Sequence, residues 1–244
     1  MIMNAILIRN LTKRYKDVVA VNSLSLTVKK GELFSLLGVN GAGKTTLIKM
    51  LCCLTSPTCG DALLLGKSIT TDPGEVKKRI AVSPQETAVA PGLSVLENLE
   101  LICGIHGFPK EKREEKIREL TSLLALEPVL KRKAGKLSGG WQRRLSIAMA
   151  LISEPEILFL DEPTLGLDVL ARSELWDMIR SLKGKITIVL TTHYMEEAEA
   201  LSDRVAILKD GNLLICDTVG KIKEKGETEN FEEAFIRIVK GVAP

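Results

Sequence analysis

The feature that most constrains this chain is the glycine-rich octet Gly38-Val39-Asn40-Gly41-Ala42-Gly43-Lys44-Thr45. It lies between the apolar run Leu33–Leu37, a predicted buried strand, and the pattern Gly43–Leu54, a predicted helix. Glycines allow a tight turn in which backbone N–H groups converge on phosphate oxygens, and the helix N-terminus adds a favourable dipole. The octet therefore predicts a phosphate-binding loop, in which Lys44 neutralises phosphate charge and the Thr45 hydroxyl can ligate Mg²⁺.

Apolar runs and helical patterns alternate along the chain, which indicates an α/β fold with a mainly parallel sheet. The other predicted strands are Ala5–Arg9, Leu24–Val28, Ala62–Leu65, Ile80–Val82, Ile157–Leu160, Ile186–Leu190, Val205–Leu208 and Leu213–Cys216. The other predicted helices are Ser94–Ile105, Lys110–Leu126, Gly140–Ile152, Leu170–Leu182, Glu196–Leu201 and Phe231–Val239. Between Gln85 and Gly139 the strand signal vanishes, which predicts a helical subdomain inserted into the α/β core.

Composition and charge exclude several classes of protein. The 45% hydrophobic and 27% charged residues are ordinary for a globular protein, and no uncharged stretch approaches the roughly 20 apolar residues that span a membrane. The start Met1–Ala5 shows no secretory signal, so an aqueous, intracellular location is expected. A net charge of +3 is too small to predict nucleic-acid binding. The charges of Lys110–Lys116 alternate in sign, and Lys131-Arg132-Lys133 lacks interleaved aromatic residues, so no nucleic-acid partner is predicted.

Two adjacent carboxylates, Asp161 and Glu162, follow the apolar run Ile157–Leu160. This places them at the carboxyl end of a predicted strand, which is where open α/β sheets bind their ligands. Alone, the pattern would often be an ordinary strand end. Together with the phosphate loop, it suits Asp161 to the Mg²⁺ shell and Glu162 to polarising an attacking water.

The cysteines and one histidine are predicted to have no functional role. Five cysteines are an odd number, and none of them forms a C-x-x-C pair. We expect small buried apolar side chains in a reducing compartment, not a metal site, because no histidine lies near Cys52, Cys53 and Cys59. His106 belongs to no motif.

The run Leu137-Ser138-Gly139-Gly140-Trp141-Gln142-Arg143-Arg144 lies upstream of the two carboxylates and opens a predicted helix. With the phosphate loop, Gln85, the run Pro163–Asp168 and Thr192-His193, it forms an ordered set of motifs. This set resembles the nucleotide-binding subunit of ABC transporters, over essentially the whole chain. The resemblance implies a P-loop NTPase core with an N-terminal antiparallel β part, and ATP and Mg²⁺ as ligands.

The resemblance also implies roles for single residues. Tyr15 matches the aromatic that stacks on adenine, although an ordinary surface tyrosine is the alternative. Gln85 matches the glutamine that reaches Mg²⁺ and water, and His193 matches the histidine that contacts the γ-phosphate. The predicted nucleotide contacts are Tyr15, Gly38, Asn40, Gly41, Ala42, Gly43, Lys44, Thr45, Thr46, Ser138, Gly139, Gly140 and Asp168. The predicted metal contacts are Thr45, Gln85 and Asp161, and the predicted catalytic residues are Glu162, His193, Lys44 and Gln85.

The resemblance further implies two subunits packed head to tail, each presenting its Ser138-Gly139-Gly140 to the ATP of the other. The segment would again be a helix N-terminus that faces an anion. Asp168 matches the loop that crosses this interface. Trp141 departs from the pattern, since many members have glutamine there. The anion-binding part of the motif is intact, whereas a hydrogen bond from that glutamine is put in doubt.

The resemblance implies one ABC ATPase domain over residues 1–244, with the α/β core at 1–85 and 156–217, the helical subdomain at 86–155 and a helical tail at 218–244. Its expected partners are a transmembrane permease and a second ATPase subunit, and its expected location is the inner face of the cell membrane. The ending Thr191–Glu199 and the late run Phe231–Phe235 favour an exporter-like branch. A soluble ABC-type ATPase acting on a cytosolic assembly scaffold is the alternative, and a non-hydrolysing nucleotide-binding module is disfavoured.

Overall fold

The structure is a computed structural model that describes residues 4–242. Residues 1–3 and 243–244 lie outside the described residues. The expected absence of a leader partly rests on the first range, and the second belongs to the predicted tail. The chain divides into two compact units, one running to Lys77 and resuming at Lys183, the other spanning Lys78–Leu182. The finer predicted boundaries near residues 85, 155 and 217 stay predictions.

The strands are β1 Asn4–Tyr15, β2 Val18–Lys29, β3 Leu33–Leu37, β4 Cys59–Leu64, β5 Lys67–Ser68, β6 Ile80–Ser83, β7 Ile157–Asp161, β8 Thr187–Thr192, β9 Arg204–Lys209 and β10 Asn212–Asp217. The helices are α1 Lys44–Leu51, α2 Pro73–Lys77, α3 Val95–Ile105, α4 Lys110–Leu123, α5 Gly139–Leu151, α6 Val169–Leu182, α7 Met195–Leu201, α8 Val219–Lys225 and α9 Phe231–Lys240.

The first unit contains an antiparallel sheet and a mainly parallel one. In the antiparallel sheet the strand order is β2-β1-β4-β5, which confirms the antiparallel N-terminal part. In the other sheet β3 lies between β8 and β9 and is parallel to both, while β10 pairs with β9 in the antiparallel sense. All residues of β3 and β8 are buried, as the nearly all-apolar runs Leu33–Leu37 and Ile186–Leu190 predict for strands covered on both faces.

The second unit contains a pair of parallel strands and most of the long helices. Strands β6 and β7 pair from Ile80 opposite Ile157 to Ser83 opposite Leu160. Helix α3 begins with a capping box, in which the Ser94 hydroxyl accepts from the Glu97 amide and the Glu97 carboxylate accepts from the Ser94 amide. Hydrogen bonds to the Glu97 carboxylate from the Ser94 amide and, secondarily, from the Ser94 hydroxyl lower the pKa of Glu97. The predicted helical character between Gln85 and Gly139 is present as α3, α4 and two 3₁₀ turns.

The C-terminal helices α8 and α9 pack on the parallel sheet of the first unit. Phe231, Ala234 and Phe235 of α9 share one buried cluster with Ile222 of α8 and with Ala198 of α7. An ion pair between Lys223 and Glu199 joins α8 to α7, and the Lys209 ammonium donates to the Val239 carbonyl oxygen at 2.8 Å. The helical tail is thus an integral part of this unit.

We expect Gly226→Ala to destabilise the protein because α8 and α9 cross closely at this residue. A β-carbon at Gly226 would lie 2.6 Å from both Cα and Cβ of Ala234, although the backbone φ of −80° suits any residue. Overpacking of this kind costs about 1–3 kcal/mol, which urea unfolding would measure as a lower midpoint.

The matched control is Gly220→Ala in the same helix, where no described atom lies within 4 Å of the added β-carbon. Alanine favours helix over glycine by about 0.8–1 kcal/mol in a helix interior, so this control should unfold at an equal or higher urea concentration. Equal midpoints for the two variants would contradict the close crossing of α8 and α9.

Candidate functional site

The phosphate loop follows β3 and is shaped by main-chain atoms. Gly43, the N-cap of α1, has φ of +100°, and a β-carbon there would lie 2.3 Å from the carbonyl oxygen of Ala20. A β-carbon on Gly38 would lie 2.5 Å from the carbonyl oxygen of Leu208. Only glycine fits these two positions, because one needs a left-handed backbone and both are closed in by carbonyl groups. The loop has the compact form that the octet predicts.

Lys44 lies across the loop that precedes it. Its ammonium donates to the carbonyl oxygen of Gly38 at 2.7 Å and more weakly to that of Val39 at 3.4 Å, and the residue is only 6% exposed. Thr45 and Thr46 follow in the first turn of α1 and are half-buried, whereas Asn40 and Gly41 are exposed. A positive charge is therefore held against the loop, next to hydroxyl groups at a helix N-terminus, which is an arrangement suited to binding phosphates.

The register of the parallel sheet brings His193 to the phosphate loop. Leu37 of β3 pairs with Thr192 of β8, so Gly38 and His193 are the next residues on neighbouring parallel strands. Such strands lie about 4.8 Å apart, so the imidazole belongs to the same sheet edge as the loop. His193 is half-buried, and its ring centroid lies 4.1 Å from that of Tyr194 with the two planes tilted by 38°.

Tyr15 ends β1 at a tight turn on the same unit. It pairs with Val18 of β2, and the carbonyl oxygen of Ala20, two residues further on, faces Gly43. The Tyr15 side chain is 46% exposed, and the Lys13 ammonium lies 4.9 Å from its ring centroid. An exposed aromatic ring close in sequence to a wall of the loop is suited to stacking on a base.

The two carboxylates lie where the sequence predicts, at the carboxyl end of β7 in the second unit. Asp161 is the last residue of the strand, and Asp161 and Glu162 are each 6% exposed. Glu162 has φ of +49°, an unfavourable conformation for a residue with a side chain. Backbone strain of this kind is found at functional sites, where the surrounding structure enforces it.

Gln85 reaches the same edge of the second unit. Ser83 of β6 pairs with Leu160 of β7, so Gln85 leaves its strand beside the one that carries Asp161. Its side chain is exposed, but its backbone is tethered, because the Arg143 guanidinium donates to the carbonyl oxygens of Pro84 and Gln85. Arg143 is a residue that sequence reasoning missed, although it lies inside the run that defines the family.

The segment Ser138-Gly139-Gly140 forms the N-terminal tip of α5, in which Ser138 and Gly139 are exposed and Gly140 is half-buried. Ser138 is the N-cap in an extended conformation, and within the described part of the chain its hydroxyl makes no capping bond to α5. Trp141 is half-buried just behind the tip, and the Arg144 guanidinium lies 4.6 Å from its ring centroid. The same guanidinium pairs with Glu174.

Asp168 begins α6 close to this tip. Its carboxylate accepts a hydrogen bond from the Ala171 amide at 2.9 Å, which is ordinary N-capping. The β-carbon of Ala171 would lie 3.1 Å from one added to Gly140, and Leu167 would lie 3.6 Å from one added to Gly139. The tip and the Asp168 loop therefore lie side by side in the second unit.

The cysteines follow the sequence prediction only in part. Cys52 and Cys103 are buried as predicted, whereas Cys53 and Cys216 are half-buried and Cys59 is exposed. The prediction is wrong for Cys59 because it is the first residue of β4, whose first two residues are exposed. Burial raises the pKa of the Cys53, Cys103 and Cys216 thiols. No group of three or more histidine, cysteine or acidic side chains suited to a metal occurs within residues 4–242.

These features define a class of protein: a phosphate-loop ATPase with strand-end carboxylates and an added helical segment that ends in a serine–glycine tip. Comparison with protein families gives the particular family. Residues 21–165 match the family described as ABC transporter. Across residues 4–242, no helix has the length and apolar character needed to cross a membrane.

Individual proteins agree with this match. The Nod factor export ATP-binding protein I of Burkholderia lata is 43% identical over 205 residues, which are 83% of this chain and 67% of that protein. The doxorubicin resistance ATP-binding protein DrrA of Mycobacterium tuberculosis is 38% identical over 92% of this chain and 69% of that protein. A solved dimeric ATP-binding cassette, in a post-hydrolysis state with ADP and Pi, is 30% identical with a TM-score of 0.78, over 87% of this chain and 98% of that one.

The chain belongs to the ABC transporter family, as an ATP-binding subunit with ATPase activity. The resemblance inferred from the ordered motifs is confirmed, and so is the α/β fold with its antiparallel N-terminal part. The solved relative at 30% identity is a dimeric cassette.

Proposed function

We propose that this subunit hydrolyses MgATP to drive a separate transmembrane permease in the direction of export. Two of the similar proteins support the direction, since one is named for Nod factor export and the other for doxorubicin resistance. The ending Thr191–Glu199 and the amphipathic helix α9 agree with this branch. As a partner of a permease, the subunit would be peripheral on the inner face of the cell membrane.

The phosphate loop and its neighbours would bind the nucleotide. The backbone of Gly38–Gly43 would hold the phosphates, with Lys44 neutralising their charge, and Tyr15 would stack on the adenine. His193 is suited to contacting the γ-phosphate, because the β3–β8 register places it beside the loop. The other contacts proposed from the sequence are Asn40, Gly41, Ala42, Thr45, Thr46, Ser138, Gly139, Gly140 and Asp168.

The donor atoms of the proposed metal contacts fit Mg²⁺, which prefers oxygen ligands and keeps several waters and phosphate oxygens. The Thr45 hydroxyl, the Asp161 carboxylate and the exposed Gln85 amide are donors of this kind. When bound, the ion neutralises charge on the β- and γ-phosphates. Glu162 would accept a proton from the attacking water while the phosphate contacts hold the γ-phosphate in line.

A head-to-tail dimer would complete each ATP site. The observation that carries this proposal is the exposed Ser138 tip, where a hydroxyl that does not cap its own helix stands at a helix N-terminus. Such a tip binds anions, and in an isologous pair each copy would present it to the nucleotide of the other. ATP would then hold the two copies together, and hydrolysis would release them.

Ser138→Arg tests the proposal, because a long cationic side chain would block the tip without touching the phosphate loop. We expect the ATP-dependent dimer of a Glu162→Gln background to disappear in size-exclusion chromatography, while affinity for ADP stays within about twofold. Ser122→Arg, at an exposed serine on α4, is the matched control and should leave both unchanged.

The same proteins, expressed beside the permease, test the transporter role. Wild type and Ser122→Arg should remain with washed membranes that contain the permease. A wild-type protein that is fully soluble beside its permease would contradict the transport proposal and favour a cytosolic scaffold. An ATP-dependent dimer that survives Ser138→Arg would contradict the head-to-tail arrangement.

A further inference from the structure

Arg143 joins the helix of the Ser138 tip to the segment that carries Gln85. It lies in α5 and is 4% exposed, so its charge is almost fully removed from water. One guanidinium nitrogen donates to the Pro84 carbonyl oxygen and another donates to the Gln85 carbonyl oxygen, each at 2.5 Å. Two consecutive carbonyl groups are thus held by the two arms of one rigid fork.

A second contact fixes the same segment to the same face of α5. The hydroxyl groups of Ser83 and Ser146 lie 2.9 Å apart, and both residues are buried. Ser146 is three residues after Arg143, so the two side chains lie on one face of the helix. The backbone from Ser83 to Gln85 therefore follows α5, while the Gln85 side chain remains exposed and able to meet a ligand.

The tip and Arg143 are parts of one stiff element. Gly139 and Arg143 are four residues apart on the same face of α5, a separation of about 6 Å along the helix axis. A displacement of the tip would carry the guanidinium with it, and the guanidinium would carry the Gln85 backbone. Gln142 stabilises the start of this element, since its amide donates to the carbonyl oxygens of Ala134 and Leu137.

We infer that Arg143 is a positioning residue that couples Gln85 to the Ser138 tip, so that engagement of the tip by the partner's nucleotide sets the place of Gln85 in the chain's own site. This inference rests on the proposed function, in which Gln85 serves the chain's own ATP and the tip serves the ATP of the other copy. Arg143 itself touches neither nucleotide. Its effect on the reaction passes through the two carbonyl groups that it holds.

Arg143→Lys is the sharpest substitution, because lysine keeps the buried positive charge but offers a single ammonium in place of the fork. A small misplacement of a group near the reaction lowers the rate by about tenfold to a hundredfold. We expect kcat for MgATP to fall within that range while KM stays within about twofold, since the phosphate loop is unchanged.

The matched control is Arg79→Lys. Arg79 immediately precedes β6, at the end of the strand opposite to Gln85, and its guanidinium pairs with Glu156 at 2.7 Å. This substitution removes an arginine contact from the same strand but leaves the Gln85 backbone alone. We expect its kcat to stay within about twofold of wild type, whereas a loss equal to that of Arg143→Lys would overturn the inference.

A double-mutant cycle with Gln85→Ala separates positioning from general damage. If Arg143 acts through Gln85, then Arg143→Lys should lower kcat much less in the Gln85→Ala background than in wild type. If the fold losses in kcat of Arg143→Lys and Gln85→Ala multiply in the double variant, the two residues act independently and the inference is overturned. If Gln85→Ala alone keeps the wild-type kcat, the proposed role of Gln85 is wrong and the inference falls with it. If Gln85→Ala lowers kcat and Arg143→Lys does not, the inference alone is overturned.

Hydrogen exchange tests the coupling without changing Arg143, so the test stands even if Arg143→Lys fails to fold. In the Glu162→Gln protein with MgATP, the amides of residues 85–88 and of residues 139–144 should gain protection at the same ATP and protein concentrations. Protection of the two segments at clearly different concentrations would show that they move independently and would overturn the inference.

Discussion

Glu162→Gln is expected to lower kcat for ATP hydrolysis by about 10²–10⁴-fold, the usual contribution of a general base. The amide has the shape of the carboxylate but cannot accept a proton from water. Glu162 lies at the end of β7 with 6% exposure and a left-handed backbone, so a substitution of equal size preserves the local packing. Phosphate release at saturating MgATP would measure the loss.

The same substitution should preserve nucleotide binding, because the phosphate loop that carries Lys44 is unchanged. ATP should therefore accumulate in a stable dimer, which size-exclusion chromatography would detect and ADP would not produce. Glu115→Gln, at an exposed glutamate on α4, is the control and should keep the wild-type rate. A Glu162→Gln protein that hydrolyses ATP at the wild-type rate would refute the assignment of the base.

Lys44→Ala is expected to weaken binding of ATP itself. Lys44 is 6% exposed, and its ammonium donates to the Gly38 carbonyl oxygen of the loop that would hold the phosphates. Its removal therefore deletes a charged contact to the phosphates and a hydrogen bond within the loop. A hydrogen bond to a charged group contributes about 1.5–3 kcal/mol, which corresponds to a Kd about 10- to 100-fold higher. Calorimetric titration with MgATP would measure the change.

Lys49→Ala is the matched control, since Lys49 is an exposed lysine in the last turn of the same helix α1. Its Kd for ATP should equal that of wild type. Both variants should unfold at similar urea concentrations, which separates a binding defect from a folding defect. An unchanged Kd in Lys44→Ala would mean that the loop is not the phosphate site.

Sequence pattern was sufficient where burial alone decides the structure. Leu33–Leu37 was predicted to its last residue because a strand covered on both faces leaves a nearly all-apolar run. The hairpin β1–β2 was predicted only in fragments, since its register shifts and the positive φ of Asn10 and Ser23 interrupt the alternation that marks a strand. The two strands are each 12 residues long, far longer than the runs that predicted them.

Helix ends were less predictable, because backbone conformation decides them. Helix α1 ends at Leu51 and not at the predicted Leu54, since Cys53 adopts φ of +55° and the Leu54 amide turns back to the carbonyl oxygen of Lys49. Helix α8 lies in the predicted helical tail at 218–244 but was not predicted as an element of its own. It has two lysines in its last turn and a single buried residue, Ile222, so it carries too short an apolar face to be recognised from the sequence.

The candidate site was predictable where residue type carries the chemistry, as in Lys44, Asp161 and Glu162. Arg143 was not, because its role depends on two backbone carbonyl groups more than fifty residues earlier in the chain, and carbonyl groups leave no trace in a sequence. Asp168 differs from Arg143 because its motif did predict a role, a place at a subunit interface. The motif did not predict its local contact, in which Asp168 caps α6 of its own chain.

The walls of the phosphate loop are the carbonyl oxygens of Ala20 and Leu208, and neither wall depends on what side chain its residue carries. Walls made of main-chain carbonyl groups keep their shape when the side chains of those residues are substituted, provided that the strands keep their register. We therefore expect many substitutions to be tolerated in the two flanking hairpins, β1–β2 and β9–β10, and almost none at Gly38 and Gly43, which pack against them.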